Sequence, residues 1–294
     1  MSKRMKRKHR VSAWTLIRRA LVSYVRALPV IAVVGLIGAI PMQLAVTWLL
    51  SRQGIGDDAV WELRYQGLAD WLLGSLISPA VFLVIHRSIV EGSRGERTGV
   101  LVMLGWAYRR ALSVWLGTFL TRMMVSFAVV IPGLPVLGGL YLIQRRWPAL
   151  GEVVTDPSRV VSLSPGELAP LLLMLPLLAP PVYFFLRYAL AEVVVALERT
   201  DGFEALQRSK VLTLGARSKL LLAMVVLDGP VLAVGLGIEG LSDSVSPWAG
   251  SFATAFSMIL AALPGTFLVH VYLAQGGDAV DRRKVAAPTA SIQS

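Results

Sequence analysis

The sequence predicts an all-α protein, a polytopic integral membrane helix bundle with about six transmembrane helices and both termini cytoplasmic. Three observations lead there. Of the 294 residues, 55% are hydrophobic and only 16% charged, against about 25% charged in a typical soluble domain. The apolar residues gather in runs of about 20, the length a helix needs to cross the hydrocarbon core. Lys and Arg are also divided unevenly between alternate connections. The connections placed inside hold 22 of the 29, those placed outside hold 5, and Arg122 and Arg187 fall within spans. Inner loops of membrane proteins carry the basic excess, which sets the orientation.

Residues 1–28 form a basic cytoplasmic segment with nine Lys or Arg and no acid. Trp14, Ile17, Leu21, Tyr24 and Leu28 recur at helical spacing, with Arg19, Ser23 and Arg26 opposite. That pattern fits an amphipathic helix on the membrane surface, its basic face toward anionic headgroups. A solvated basic tail that only orients the first span fits equally. The next run is full span length behind a long basic region, with no small-residue cleavage site, so it reads as a helix and not a signal peptide.

The transmembrane domain occupies 29–275, with spans at about 29–50, 68–90, 111–131, 168–190, 220–240 and 250–274. Between the third and fourth spans, Pro132, Gly133 and Pro135 are expected to end or kink a helix. Residues 136–143 are apolar but short, so they extend the third helix or re-enter the membrane. The fourth span carries Pro170, Pro176, Pro180 and Pro181, which free backbone carbonyls as broken transporter helices do. Residues 276–294 read as a flexible cytoplasmic tail.

The composition excludes several chemistries. With no Cys there is no disulfide, thiolate nucleophile or Cys-based metal site. His9, His86 and His270 make no metal-ligand spacing, and no phosphate loop, nucleophile elbow or metalloprotease helix is present. The expectation is a protein without catalytic residues, metal or cofactor. The net charge of +11 points to anionic lipids at the cytoplasmic face, and to other membrane proteins, not to nucleic acid.

The informative polar residues lie inside spans, where a charge at mid-bilayer costs roughly 2.5–3.5 kcal/mol. These are Arg122 in the third span, Arg187 and Glu192 at the inner end of the fourth, and Asp228 in the fifth, just before Gly229-Pro230. One reading is a polar path with Asp228 as a proton or cation site. The other is a structural ion pair, Asp228 with Arg122, while Arg187 reaches the inner headgroups. A membrane scaffold or accessory protein corresponds to the second reading, a small transporter or permease to the first.

The segment after the fourth span combines Arg187-Tyr188, Glu198 and the run Ala205-Leu206-Gln207-Arg208-Ser209, then Leu212 and Gly215. With Ile131-Pro132-Gly133 upstream, it resembles a broad group of bacterial six-helix membrane proteins. That group includes the membrane domain found with glycerophosphoryl diester phosphodiesterases. The resemblance implies a bacterial cytoplasmic membrane location and makes Glu198, Arg208 and Ser209 the residues of its cytoplasmic motif. It departs from the group at residues 136–167, which stand where the Pro-Gly turn leads almost directly into the fourth helix. No phosphodiesterase domain lies in these 294 residues, so no enzymatic activity is implied. By helix-end chemistry, Asp201 caps a short surface helix in a capping box with Glu204, and Phe203, Leu206 and Leu214 share one face. Arg208, Lys210, Arg217 and Lys219 are expected to face inner-leaflet phosphates.

Overall fold

The computed structural model describes residues 11–52, 59–94, 99–146, 165–231, 234 and 247–277. Every element among these residues is helical. In order they are α1 (Ala13–Arg52), α2 (Ala59–Arg94), α3 (Val100–Arg146), α4 (Pro165–Tyr188), α5 (Ala191–Glu198), α6 (Gly202–Thr213), α7 (Arg217–Ala223) running into a π-helical turn (Met224–Asp228), and α8 (Pro247–Ala274). Four stretches are long and apolar enough to cross a membrane: Ala13–Ile37, Gly74–Gly92, Val100–Gly139 and Leu175–Glu198. Of the fifth expected span, 220–240, the described residues are those of α7 from Leu220, the π turn, 229–231 and 234; residues 232, 233 and 235–246 lie outside the described residues. The same holds for residues 147–164 of the longest expected outer connection and for residues 278–294.

Helix boundaries reflect local chemistry. Pro165 and Pro247 open α4 and α8, where a missing N–H removes no intrahelical bond. Pro230 has no N–H for the carbonyl four residues earlier. The π turn just before it accommodates this, with the Gly229 N–H reaching back to the Met224 carbonyl. Pro132 and Pro135 do not end α3, which continues to Arg146. Residues 136–143 therefore extend the third helix.

The chain divides into two compact units, Met1–Arg122 with Ala189–Ser294, and Met123–Tyr188. In the first unit α1 packs on α8 and α2, and α2 packs on α5. The buried stripe of α1 is Ile17, Ala20, Tyr24, Ala27, Ile31 and Val34. Its alternating spacing of three and four residues is that of left-handed helix packing. Of the expected apolar face, Ile17 and Tyr24 are buried within the unit, while Trp14 is 70% and Leu21 41% exposed. Alanines at 20 and 27 allow close approach to the neighbouring helices, and they outweigh the larger Trp14 and Leu21. Nor is the basic segment a separate helix from Ala13 onward, because α1 runs unbroken into the first span.

The interior of this unit is α2 and α5. Ala80 through Ile85 are all buried, as are Val193 through Leu197, so these stretches are apolar on every side, as a buried helical segment is. On α3 the same three-four spacing runs through Leu104, Ala107, Ala111, Val114, Thr118 and Thr121. Thr118 donates its hydroxyl proton to the Val114 carbonyl, so it is buried at little cost.

The second unit holds the later part of α3 and α4. The Pro181 ring lies close to Gly133, where even an added Cβ would be 3.8 Å away. Tyr183, Phe184 and Tyr188 form a chain of aromatic contacts along α4, with centroids 5.5 and 6.4 Å apart. Phe127, Ile131, Leu134, Leu137 and Leu142 are exposed. Such an apolar surface suits a hydrocarbon environment and would be a liability in water.

Candidate functional site

Two ionic clasps in the first unit bring together most of the polar residues that the sequence singles out. The first is centred on Arg122 of α3. Its Nε donates to Oε1 of Glu192 at 2.9 Å and its Nη2 to Oε2 at 2.8 Å, a bidentate fork. Ser78 of α2 completes the triangle, accepting from Arg122 Nη2 at 3.1 Å and donating to Glu192 Oε2 at 2.7 Å. Arg122 and Glu192 are 20% and 23% exposed at the side chain. The expected partner Asp228 is thereby corrected to Glu192. Asp228 and Glu192 are equally apolar-flanked in sequence; only the fold places Glu192 opposite Arg122.

Local structure prepares this contact. The chain breaks between α4 and α5, so Glu192 stands in the first turn of a new helix, where a carboxylate is favoured by the helix dipole. Gly74 of α2 leaves the space the guanidinium fills: a Cβ there would collide with Arg122 Nη1. Two turns before Arg122 on α3, the Trp115 indole N–H donates to Ser75 Oγ at 2.9 Å and fixes the register of α3 on α2. Gly117 lies against Val195, and Gly202 against Thr121, each too close for a larger residue to enter without a shift.

The second clasp holds the cytoplasmic motif. Glu198 closes α5 with a side chain only 5% exposed. A carboxylate at a helix C-terminus opposes the dipole, so its partners matter. Arg208 Nε of α6 lies 3.5 Å from Oε2, and Tyr272 of α8 donates its hydroxyl to Oε1 at 3.0 Å. The end of α5 is capped twice more. Arg110 of α3 donates to the Leu197 carbonyl at 2.9 Å, and Arg199 turns left-handed at φ 55° so that its N–H reaches the Val195 carbonyl.

Ser209 is fully buried and accepts the Leu190 N–H at 3.2 Å. That N–H belongs to the break before α5, where the helix ladder is interrupted, so Ser209 satisfies a donor otherwise lost to burial. Gly215 adopts φ +83° after α6, a conformation that favours glycine.

Asp201 caps α6, accepting the Glu204 N–H at 2.7 Å. Its buried face is the small one, Gly202, Ala205, Ser209, Leu212 and Thr213, while Phe203 and Leu214 are 63% and 60% exposed. Close seating against α3 and the break before α5 selects small residues there. Arg208 is turned to Glu198, with its side chain 30% exposed.

The remaining candidates stand apart. Asp228 ends the π turn, half-buried. Arg187 lies in the second unit with its guanidinium 5.5 Å from the Tyr188 ring centroid. His270 is hydrogen-bonded to Ser23 Oγ at 2.9 Å, tying α8 to α1. Sequence reasoning missed Ser78, Gly74, Arg110 and Tyr272. None carries a local signal, since a serine or glycine in an apolar run shows its purpose only when another helix lies against it.

No family model, no curated protein and no solved structure matches the chain.

Proposed function

We propose that the chain is a multi-pass protein of the bacterial cytoplasmic membrane, with about six spans and both termini inside. Its role is that of a non-catalytic scaffold or accessory protein, acting through lipid and protein contacts at its basic inner face. We place it with the six-helix group that includes the membrane domain of the glycerophosphoryl diester phosphodiesterases. The observation that carries this reading is a division of labour among charges. Arg122, Glu192, Glu198 and Arg208 are engaged with one another inside the bundle. Arg18, Arg19, Arg26, Arg109, Arg199 and Lys210 are exposed, all on segments assigned to the inner side. A bidentate Arg–Glu pair with a serine across it stabilises helix register; it leaves no ion or proton position vacant between its members.

The π turn favours a second reading, a small transporter or permease with a polar intramembrane site at Asp228. Widened turns of this kind recur at functional sites, and here one ends on a half-buried carboxylate.

Orientation tests the first reading, and the absence of Cys makes the test direct. Single variants Ser12→Cys, Ser162→Cys and Lys210→Cys are exposed to a membrane-impermeant thiol reagent in intact cells and in inverted vesicles. Position 162 should label in cells, and positions 12 and 210 only in inverted vesicles. The opposite pattern would place the basic face outside and remove the proposed role.

A further inference from the structure

We propose that a groove between α1, α2 and α8 is a binding site for the headgroup of an anionic phospholipid from the inner leaflet. The inference rests on the membrane-scaffold reading and gives its basic face a specific ligand. The groove has a volume of about 520 Å³, within the range of small-ligand pockets. Arg18, Arg19 and Arg26 of α1 line one wall, Ser88 of α2 another, and Ser23 with His270 of α8 the floor. No acidic residue is among the described residues that line it.

The arginines share a face by spacing. Arg19 and Arg26 are seven apart and Arg18 and Arg26 eight, so all three lie along two turns of one helix. The Ser23 and His270 side chains bond each other across the floor and so hold polar atoms at the base of the groove. Three arginines lining one groove with hydroxyl groups suit a phosphate, which accepts forked hydrogen bonds from Arg.

Two features select a lipid over a free phosphate. Val22 lines the groove, and Val22 and Val25 are 46% and 65% exposed on the same helix. Apolar surface therefore adjoins the cationic wall, as a molecule with both a phosphate and acyl chains requires. The groove also lies along the first half of the stretch Ala13–Ile37, ahead of the span expected from residue 29, and where Gly74–Gly92 ends. That is the headgroup level, where basic pockets between helices hold anionic lipids. Gly92 keeps the mouth open: a Cβ there would stand 3.7 Å from Arg26 Nη1, within ordinary contact distance, so larger residues can occupy the groove without backbone strain.

The full chain is purified in detergent and lipid retention is measured by native mass spectrometry after equilibration with phosphatidylglycerol, cardiolipin or phosphatidylcholine. The wild type should retain the anionic lipids and not phosphatidylcholine. The triple variant R18Q/R19Q/R26Q should weaken retention roughly 100- to 200-fold, given about 1 kcal/mol for each basic residue near an anionic surface. Gly92→Leu, which fills the groove and keeps every charge, should give a comparable loss. Arg145→Gln, exposed near the end of α3 and outside the groove, should leave retention unchanged. Equal retention by wild type and triple variant, or equal loss on Arg145→Gln, would overturn the site. Displacement of the lipid by millimolar inorganic phosphate would overturn the lipid assignment in favour of free phosphate. Reversed thiol labelling at Ser12 and Lys210 would defeat the scaffold reading even where retention in detergent persisted, so the two failures are separable.

Discussion

Arg122→Ala and Glu192→Ala are each expected to destabilise the protein by about 3–5 kcal/mol, the cost of leaving one member of a buried ion pair without the other. The pair is about four-fifths shielded, and in hydrocarbon the survivor has no water to turn to. Removing both charges with apolar residues of similar volume, Arg122→Met with Glu192→Leu, is expected to restore most of the loss, because desolvation of both ions is then relieved. The two single losses should therefore be strongly non-additive. Gly74 supplies an internal control. Gly74→Ala should disturb the wild type, since its Cβ competes with the guanidinium for one space, and should be tolerated in the Arg122→Met background. Thermal unfolding in detergent, monitored by size-exclusion, measures all five variants. Additive losses would refute the direct Arg122–Glu192 contact.

Glu198→Ala is the second large effect, expected to cost about 3 kcal/mol. It removes the acceptor of the Tyr272 hydroxyl and the counter-charge of Arg208 together. Glu198→Gln keeps an acceptor for Tyr272 and should cost roughly half as much, while Tyr272→Phe should cost about 1.5 kcal/mol, a hydrogen bond to a charged group. The largest loss for Glu198→Ala, with smaller and similar losses for Glu198→Gln and Tyr272→Phe in the same unfolding assay, is the expected result. Glu198→Gln as damaging as Glu198→Ala would show that charge, not hydrogen bonding, dominates this clasp.

The helical class and the presence of several membrane-length apolar helices were legible in the sequence because composition and run length speak directly to solvent. Residues 111–131 fall within α3, and 29–50 within α1, but the helices outrun the segments. Hydropathy marks what must be in lipid, not where a helix ends, and α3 continues through Pro132 and Pro135 into Arg146. Arg122, Glu192, Glu198, Arg208 and Ser209 were legible as unusual residues because each is polar in or beside an apolar run. Their partners were not. Glu192 lies 70 positions from Arg122, and Tyr272 lies 74 from Glu198, and no local pattern reports contacts of that separation. The small faces of α1 and α6 were illegible for a related reason: Ala20, Ala27, Ala205 and Ser209 are buried because close helix approach selects small side chains, whereas a pattern weighted by hydrophobicity looks to Trp14, Phe203 and Leu214.

A scaffold requires that the polar residues within the spans form a dry, structural clasp and not a route for solute. Ser78 sits at its heart, bonded to both Arg122 and Glu192, and Ser78→Cys is a near-isosteric probe in a chain with no other cysteine. Sealed proteoliposomes are treated with a membrane-impermeant thiol reagent from either side, with Asp228→Cys carried in parallel. No labelling is expected at either position until detergent unfolds the protein. Labelling of Ser78→Cys or Asp228→Cys in the folded protein would reveal a water-filled path and would replace the scaffold with a transporter.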